Sequence, residues 1–169
     1  AASHYKRQLK KAPDAIDYLK NRGIDGSVAA KFLVGYASDD WQGLNREFHD
    51  YDTSQPLLDV GLINEKDGRR YDRFRGRIIF PIRDFRGRVI AFGGRVIEKV
   101  DPKYLNSPET PLFHKGNEVY GFWESRHAIR QEVRLLLVAV YIDVVALHHI
   151  GTNYAVGTFG SPPPKFQVA

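Results

Sequence analysis

Arginine recurs at every second position from Arg73 to Arg77, and that period of two strongly constrains how the chain can fold. Successive side chains of a β-strand point to opposite faces. The spacing predicts a strand with Arg73, Arg75 and Arg77 on one face and Phe74, Ile78 and Phe80 on the other. Turn signals frame it. Asp67-Gly68 ahead of it is a hairpin signal, and Arg86-Gly87 behind it leads into a returning strand over residues 89–92. Gly93-Gly94 is expected to break that strand and leave its backbone open to close approach.

The same stretch carries the charge. Between Arg69 and Arg95 there are nine arginines and two aspartates, Asp72 and Asp84, a local balance of +7 in a chain whose formal net charge is +5. Everything outside the window is therefore slightly acidic. Two aspartates cannot neutralise nine arginines, and focused positive charge is the footprint of a phosphate-rich partner. Guanidinium forks suit phosphate oxygens.

Elsewhere the pattern is helical at first and then α/β. Pro13 suits a first turn and Gly23 a stop, with Ile16 and Leu19 on one face. Ser27 is a candidate cap for a second helix over residues 28–34, ended by Gly35. Residues 41–48 and 56–60 read as two further short helices, with Thr53 or Ser54 as a cap for the latter. Residues 104–116 read as a polar loop and 120–130 as a helix. The apolar run 135–140 is what a fully buried parallel strand requires. A helix over 143–149, stopped by Gly151, and a strand over 154–158 complete one β-α-β unit.

With 43% apolar residues and 12% aromatics the chain can fill a core. It has no cysteine, which excludes disulfides and thiolate zinc sites. The N-terminus lacks the apolar segment of a signal peptide, and no apolar run is long enough to span a bilayer. The expectation is a cytoplasmic protein with no membrane partner. The absence of methionine suggests a piece of a longer protein. His148-His149 is not read as a metal pair, because adjacent helical side chains point about 100° apart.

The segments YDRFRGRIIFPIRD, GRVIAFGGRV, PKYLNSPET and FHKG, in this order and spacing, resemble the catalytic core of the bacterial replicative DNA primases. The resemblance runs from about Tyr18 to about Gly160. It implies an α/β chain: an α+β N-terminal subdomain with a mixed sheet over residues 1–130, then an incomplete Toprim β-α-β unit over residues 131–169. It also implies an activity, the synthesis of short RNA primers on a single-stranded DNA template from ribonucleoside triphosphates. Mg²⁺ or Mn²⁺ would serve the complete enzyme. Zn²⁺ would belong only to a preceding zinc-binding domain, and a following domain would bind the replicative helicase.

Carried onto this sequence, the resemblance assigns nucleic-acid or nucleotide contact to Arg22, Arg73, Arg75 and Arg95. It places Lys103, Asn106 and Lys115 on loops facing the cleft, with Tyr104 as a candidate for base stacking. By residue type alone, Arg22 is a helix-end cation, the loop amines suit either a triphosphate or plain solvation, and a loop tyrosine is more often packing.

The Toprim piece departs from the family. The first motif resembles Glu-Gly-Tyr-Met-Asp in the family and is Ala139-Val140-Tyr141-Ile142-Asp143 here. Alanine offers no oxygen to a hard cation. Asp143 remains as a weak catalytic or metal-binding candidate, although aspartate at a strand-to-helix junction is more often an N-cap. The family's later Asp-x-Asp motif has no counterpart, and Thr158-Phe159-Gly160-Ser161 matches its glycine turn only loosely. Two readings stand: a primase fragment that supplies the basic cleft without the metal acids, or a non-catalytic single-stranded nucleic-acid-binding module on a primase scaffold.

Overall fold

In a computed structural model, which describes residues 1–159, a four-stranded antiparallel sheet in the order β1-β4-β5-β6 divides the molecule. Its strands are β1 (Gly35–Ala37), β4 (Arg77–Arg83), β5 (Val89–Val96) and β6 (Tyr104–Asn106). The central strand β4 reads RIIFPIR and is buried on both faces. Ile78, Phe80 and Ile82 point into one apolar cluster with Phe32, Tyr120 and Tyr141. Ile79 points into the other, with Tyr5, Leu44, Tyr51, Phe74 and Phe92. Period-two alternation here separates two cores, because both faces are covered.

The N-terminal segment forms a helix that sequence patterning missed, α1 (Ala2–Leu9), packed on β1. A Cβ on Gly35 would lie 2.6 Å from the Tyr5 Cβ, so only glycine admits this contact. α2 (Pro13–Asn21) starts at Pro13 as expected and closes at Gly23 with φ +75°. α3 (Gly26–Lys31) is capped by Asp25, whose Oδ1 accepts the Val28 N–H at 2.9 Å, rather than by Ser27. It ends at Lys31, and Gly35 opens β1 instead of closing the helix. The expected helix over 41–48 is a 3₁₀ turn, Gly43–Arg46, and that over 56–60 is α4 (Gln55–Asp59), without a side-chain cap from Ser54.

The Asp67-Gly68 hairpin joins β2 (Ile63–Lys66) to β3 (Arg69–Asp72), with both turn residues at positive φ. Gly87, at φ +82°, turns β4 into β5 as expected. Gly93-Gly94 does not break β5. The strand runs through both, and their close approach is to protein: a Cβ on Gly93 would lie 2.6 Å from Tyr141 Cζ, and one on Gly94 2.9 Å from Phe74 Cδ1. The loop expected from residue 104 begins instead with edge strand β6.

The chain then forms α5 (Phe122–Glu132), β7 (Leu136–Val138), α6 (Tyr141–His149) and β8 (Ala155–Gly157). β7 and β8 pair in parallel, which gives the expected β-α-β unit. α6 packs into the core of the main sheet through Tyr141, Ile142, Val144 and Val145. The run over 135–140 is not fully buried. Leu135, Leu136 and Leu137 are each more than one-third exposed, because among the described residues β7 pairs with β8 alone. The Gly160-Ser161 part of the glycine-turn match lies outside the described residues.

Candidate nucleic-acid interface

The arginine face is built differently from the expected strand. β3 ends at Asp72 and β4 starts at Arg77, and the four residues between them are irregular. Loops take backbone donors at both ends of this stretch: Asp72 N–H, at the end of β3, donates to the Trp41 carbonyl at 2.7 Å, Arg73 N–H to Leu62 at 3.0 Å and Gly76 N–H to Ser38 at 3.3 Å. Gly76, at φ +58°, breaks the strand geometry. Phe74 is buried beneath. The three side chains nevertheless converge: Arg73, Arg75 and Arg77 line one cleft of about 460 Å³.

Asp72 anchors this segment. Its buried carboxylate accepts the Tyr51 hydroxyl at 2.7 Å and the Leu44 N–H at 3.0 Å. Burial raises its pKa, and those two hydrogen bonds oppose the shift. Its hydrogen-bonding capacity is therefore spent on the fold, and only the Arg75 charge among the cleft arginines acts on it. Asp84 is used similarly: burial favours its neutral form, but the Arg88 and Arg86 N–H groups and the Arg88 guanidinium outweigh that and hold its pKa low.

The cleft arginines are held mainly by carbonyl oxygens. Arg73 Nε and Nη2 donate to the Asn106 carbonyl at 3.2 and 2.8 Å. Arg77 Nη2 donates to Pro102 and its Nη1 to Lys103, at 2.7 and 3.3 Å. Arg75 Nη1 donates to the Asp72 carbonyl at 3.2 Å, while its guanidinium lies 3.7 Å from the Trp41 ring centroid. Among the described residues none of the three has a carboxylate within ion-pair distance, whereas Arg70, Arg83 and Arg88 pair with Glu65, Glu124 and Asp84. Burial lowers the pKa of Arg73, and burial with the Arg75 and Arg73 charges lowers that of Arg77. These are cations crowded together, with no carboxylate close enough to pair with them among the described residues. The cleft is two-sided, however: exposed Asp14, Asp39, Glu98 and Asp101 also line it.

A second cleft, of about 470 Å³, contains Arg22, Arg95 and Lys103 together with Tyr18 and Lys99. Val96 at the end of β5 and Ile97, Glu98, Val100 and Asp101 of the β5–β6 connection line both clefts and partition them. Arg95 is only 5% exposed, caged by the Tyr18 and Tyr104 rings at 5.0 and 5.5 Å, with Nε on the Tyr104 hydroxyl at 3.1 Å. The Tyr104 ring meets Tyr141 edge-on at 5.8 Å. Its ring and hydroxyl are thus engaged in positioning Arg95. Asn106 contributes its carbonyl to Arg73, and its side-chain oxygen is buried without a partner. Lys115 lines neither cleft, and its N–H donates to Glu109.

Sequence reading missed Trp41 and Tyr71. Trp41 is 63% exposed, meets Tyr71 edge-on at 5.7 Å and stacks with Arg75. Tyr71 carries a local signal, the alternation of aromatic and basic residues in YDRFR. Trp41 carries none, since only the fold brings it beside Arg75.

The β7–α6 junction does not fit a divalent cation. Ala139 has no donor, and Asp143, in the first turn of α6, is exposed and forms no cap, the N-cap being Val140. Among the described residues no group of three His, Asp or Glu side chains converges to hold a metal ion. His148 is instead buried in a hydrogen-bonded array with Ser125 and Lys31.

Fold and cleft define an α/β core with a wall of arginines that lack ion-pair partners among the described residues. The model of the DNA primase catalytic core, N-terminal domain, matches residues 4–126. The DNA primase of Neisseria meningitidis is 49% identical over 160 residues, covering 95% of this chain and 27% of that protein. A DnaG primase catalytic domain bound to single-stranded DNA is 43% identical with a TM-score of 0.86, over 96% of this chain and 54% of that one. The Aquifex aeolicus primase, solved with its zinc-binding and RNA polymerase domains, is 35% identical with a TM-score of 0.88, over 96% and 40%. This chain belongs to the DNA primase family, as a piece of the catalytic core. It spans about a quarter of the length of the curated relatives it matches.

Proposed function

We propose that the chain forms the wall of a primase core that holds a single-stranded DNA template. The observation that carries this reading is the convergence of Arg73, Arg75 and Arg77 in one cleft without an ion-pair partner among the described residues. Phosphates fit that vacancy of negative charge, one per nucleotide along a strand. The acidic wall of Asp14, Asp39, Glu98 and Asp101 repels the same backbone and confines the strand to the arginine side. The neighbouring cleft suits the phosphates of a ribonucleoside triphosphate or the RNA primer, with Lys103 as an exposed point charge that can grip and release, Arg22 exposed beside it, and Arg95 held in place by Tyr18 and Tyr104.

On this reading residues 1–130 are the N-terminal subdomain and residues 131–169 open a Toprim module. The parent protein acts in the cytoplasm at the replication fork, with the replicative helicase as partner. Mg²⁺ or Mn²⁺ for nucleotidyl transfer would need a converging set of acids, and no such set occurs among the described residues. That mismatch at Ala139 and Asp143 favours a second reading, a binding module on a primase scaffold without the chemistry.

The test of template binding is fluorescence anisotropy of a labelled oligonucleotide of mixed sequence at low salt. The native chain should bind, and the Arg73→Ala/Arg75→Ala variant should bind more weakly on every sequence tried. Equal affinity of the two proteins would return these arginines to ordinary surface charge.

A further inference from the structure

The three N-terminal helices leave an apolar groove between them, whose lining residues are distinct from those of the arginine clefts. Leu9 of α1, Ile16 and Leu19 of α2, Ala29 and Ala30 of α3, and Val34 line it, and its volume is about 260 Å³. Leu19, Ala29 and Val34 form the buried floor, Leu9 and Ile16 are half-buried, and Ala30 is exposed. The rim is basic. Lys6 of α1, Lys10 at its C-cap four residues on, and Lys20, in the last turn of α2, all border it and are exposed. Among the described residues none of the three lysines has an ion-pair partner, whereas Arg7 beside them is paired with Glu47. The one acid at the rim, Asp25, is already engaged: it caps α3 through the Val28 N–H, and its Oδ2 lies 3.5 Å from His149 Nδ1.

We propose that this groove docks an amphipathic helix of a partner protein, with its apolar face on Leu9, Ile16 and Ala30 and acidic residues flanking that face to meet Lys6, Lys10 and Lys20. Three physical points lead there. The cavity is smaller than the roughly 300–1,000 Å³ of small-molecule sites, so it suits a few aliphatic anchors better than a cofactor. Helix-in-groove recognition reads anchors at i, i+3 or i+4 and i+7, which a floor shared by three short helices can accept. Unpaired lysines around an apolar floor select against basic amphipathic segments and for acidic ones, and they steer encounter. The groove is separate in its lining residues from both arginine clefts. The inference stands whether or not those clefts hold DNA.

The probe is a labelled synthetic helix of about 16 residues with leucines on one face and glutamate and alanine elsewhere, sized to the i to i+7 anchor span with flanking turns. Its control has the same composition with the leucines dispersed around the helix. Anisotropy with the native chain should show binding of the amphipathic peptide and little of the control. Lys6→Gln/Lys10→Gln should weaken that binding by about three- to tenfold, the worth of two exposed ion pairs, while circular dichroism and oligonucleotide binding stay at native values. Equal binding of the two peptides, or no loss in the lysine variant, would overturn the proposal. So would failure of the peptide to bind while phosphatidylglycerol vesicles bind through the same lysines.

Discussion

The guanidinium of Arg75 stacks on Trp41, 3.7 Å from the ring centroid, although the two residues lie 34 positions apart in the sequence. Trp41 thereby fixes the orientation of a cleft cation that would otherwise be a free side chain. Such a contact at an exposed site is worth about 0.5–1 kcal/mol. Trp41→Ala should therefore weaken oligonucleotide binding by roughly two- to fivefold. Because Trp41 is largely exposed, folding stability should change by less than about 0.5 kcal/mol. Anisotropy and urea denaturation on the same protein separate the two effects.

Gly93 is required by packing rather than by a ligand. A methyl group there would meet the Tyr141 ring at 2.6–2.9 Å, inside a core that has no room to yield. Gly93→Ala should destabilise the chain by about 1–3 kcal/mol. A shift in the urea midpoint at constant slope checks it. An unshifted midpoint would show that Tyr141 swings aside freely.

His148 makes stability depend on pH. Its Nδ1 lies 3.0 Å from Lys31 Nζ, and its Nε2 lies 2.9 Å from Ser125 Oγ and 3.2 Å from the Ala155 carbonyl oxygen, with Phe32 edge-on. Burial and then the Lys31 charge lower its pKa to about 4, which the Ala155 carbonyl only partly opposes. The unfolded chain therefore takes up a proton near pH 6.5 that the folded chain refuses until about pH 4. Stability is full above that window and falls as pH drops through it, by on the order of 2–3 kcal/mol. Urea midpoints at intervals across the window should decline in the native chain and decline less in His148→Gln. Parallel slopes would assign the effect to other groups, such as His4, whose pKa burial also lowers.

The chain by itself should make no primer. Given single-stranded template, the four ribonucleoside triphosphates and Mg²⁺, labelled nucleotide should remain unincorporated, because no converging set of acids or histidines among the described residues can place the cation. Appearance of short RNA products would show that the acids around the clefts suffice.

Local signals in the sequence carried much of the fold. Pro13, Asp67-Gly68, Arg86-Gly87 and Gly151 mark real helix and turn boundaries, since each acts through its own backbone. The errors came from tertiary competition. Residues 73–76 alternate like a strand, yet Leu62 and Ser38 take the backbone donors of Arg73 and Gly76. Gly93-Gly94 looked like a strand break, yet two aromatic rings occupy the space that a side chain would need. The arginine cleft was legible as charge and period, whereas Trp41 and Asp39, from a distant loop, and Asp14, from the first turn of α2, left no local trace. The groove between α1, α2 and α3 was invisible for the same reason, with α1 itself unmarked by any cap or breaker.

The central claim is that Arg73 and Arg75 neutralise phosphates of a single strand, and the salt dependence of oligonucleotide affinity tests it most directly. For the native chain the logarithm of affinity should fall linearly with the logarithm of salt concentration, with a slope of about −0.7 per phosphate contacted on a single strand. Arg73→Ala/Arg75→Ala should flatten that slope by about 1.4, two contacts' worth. A native affinity that does not change with salt, or a variant whose slope equals the native one, would contradict the account.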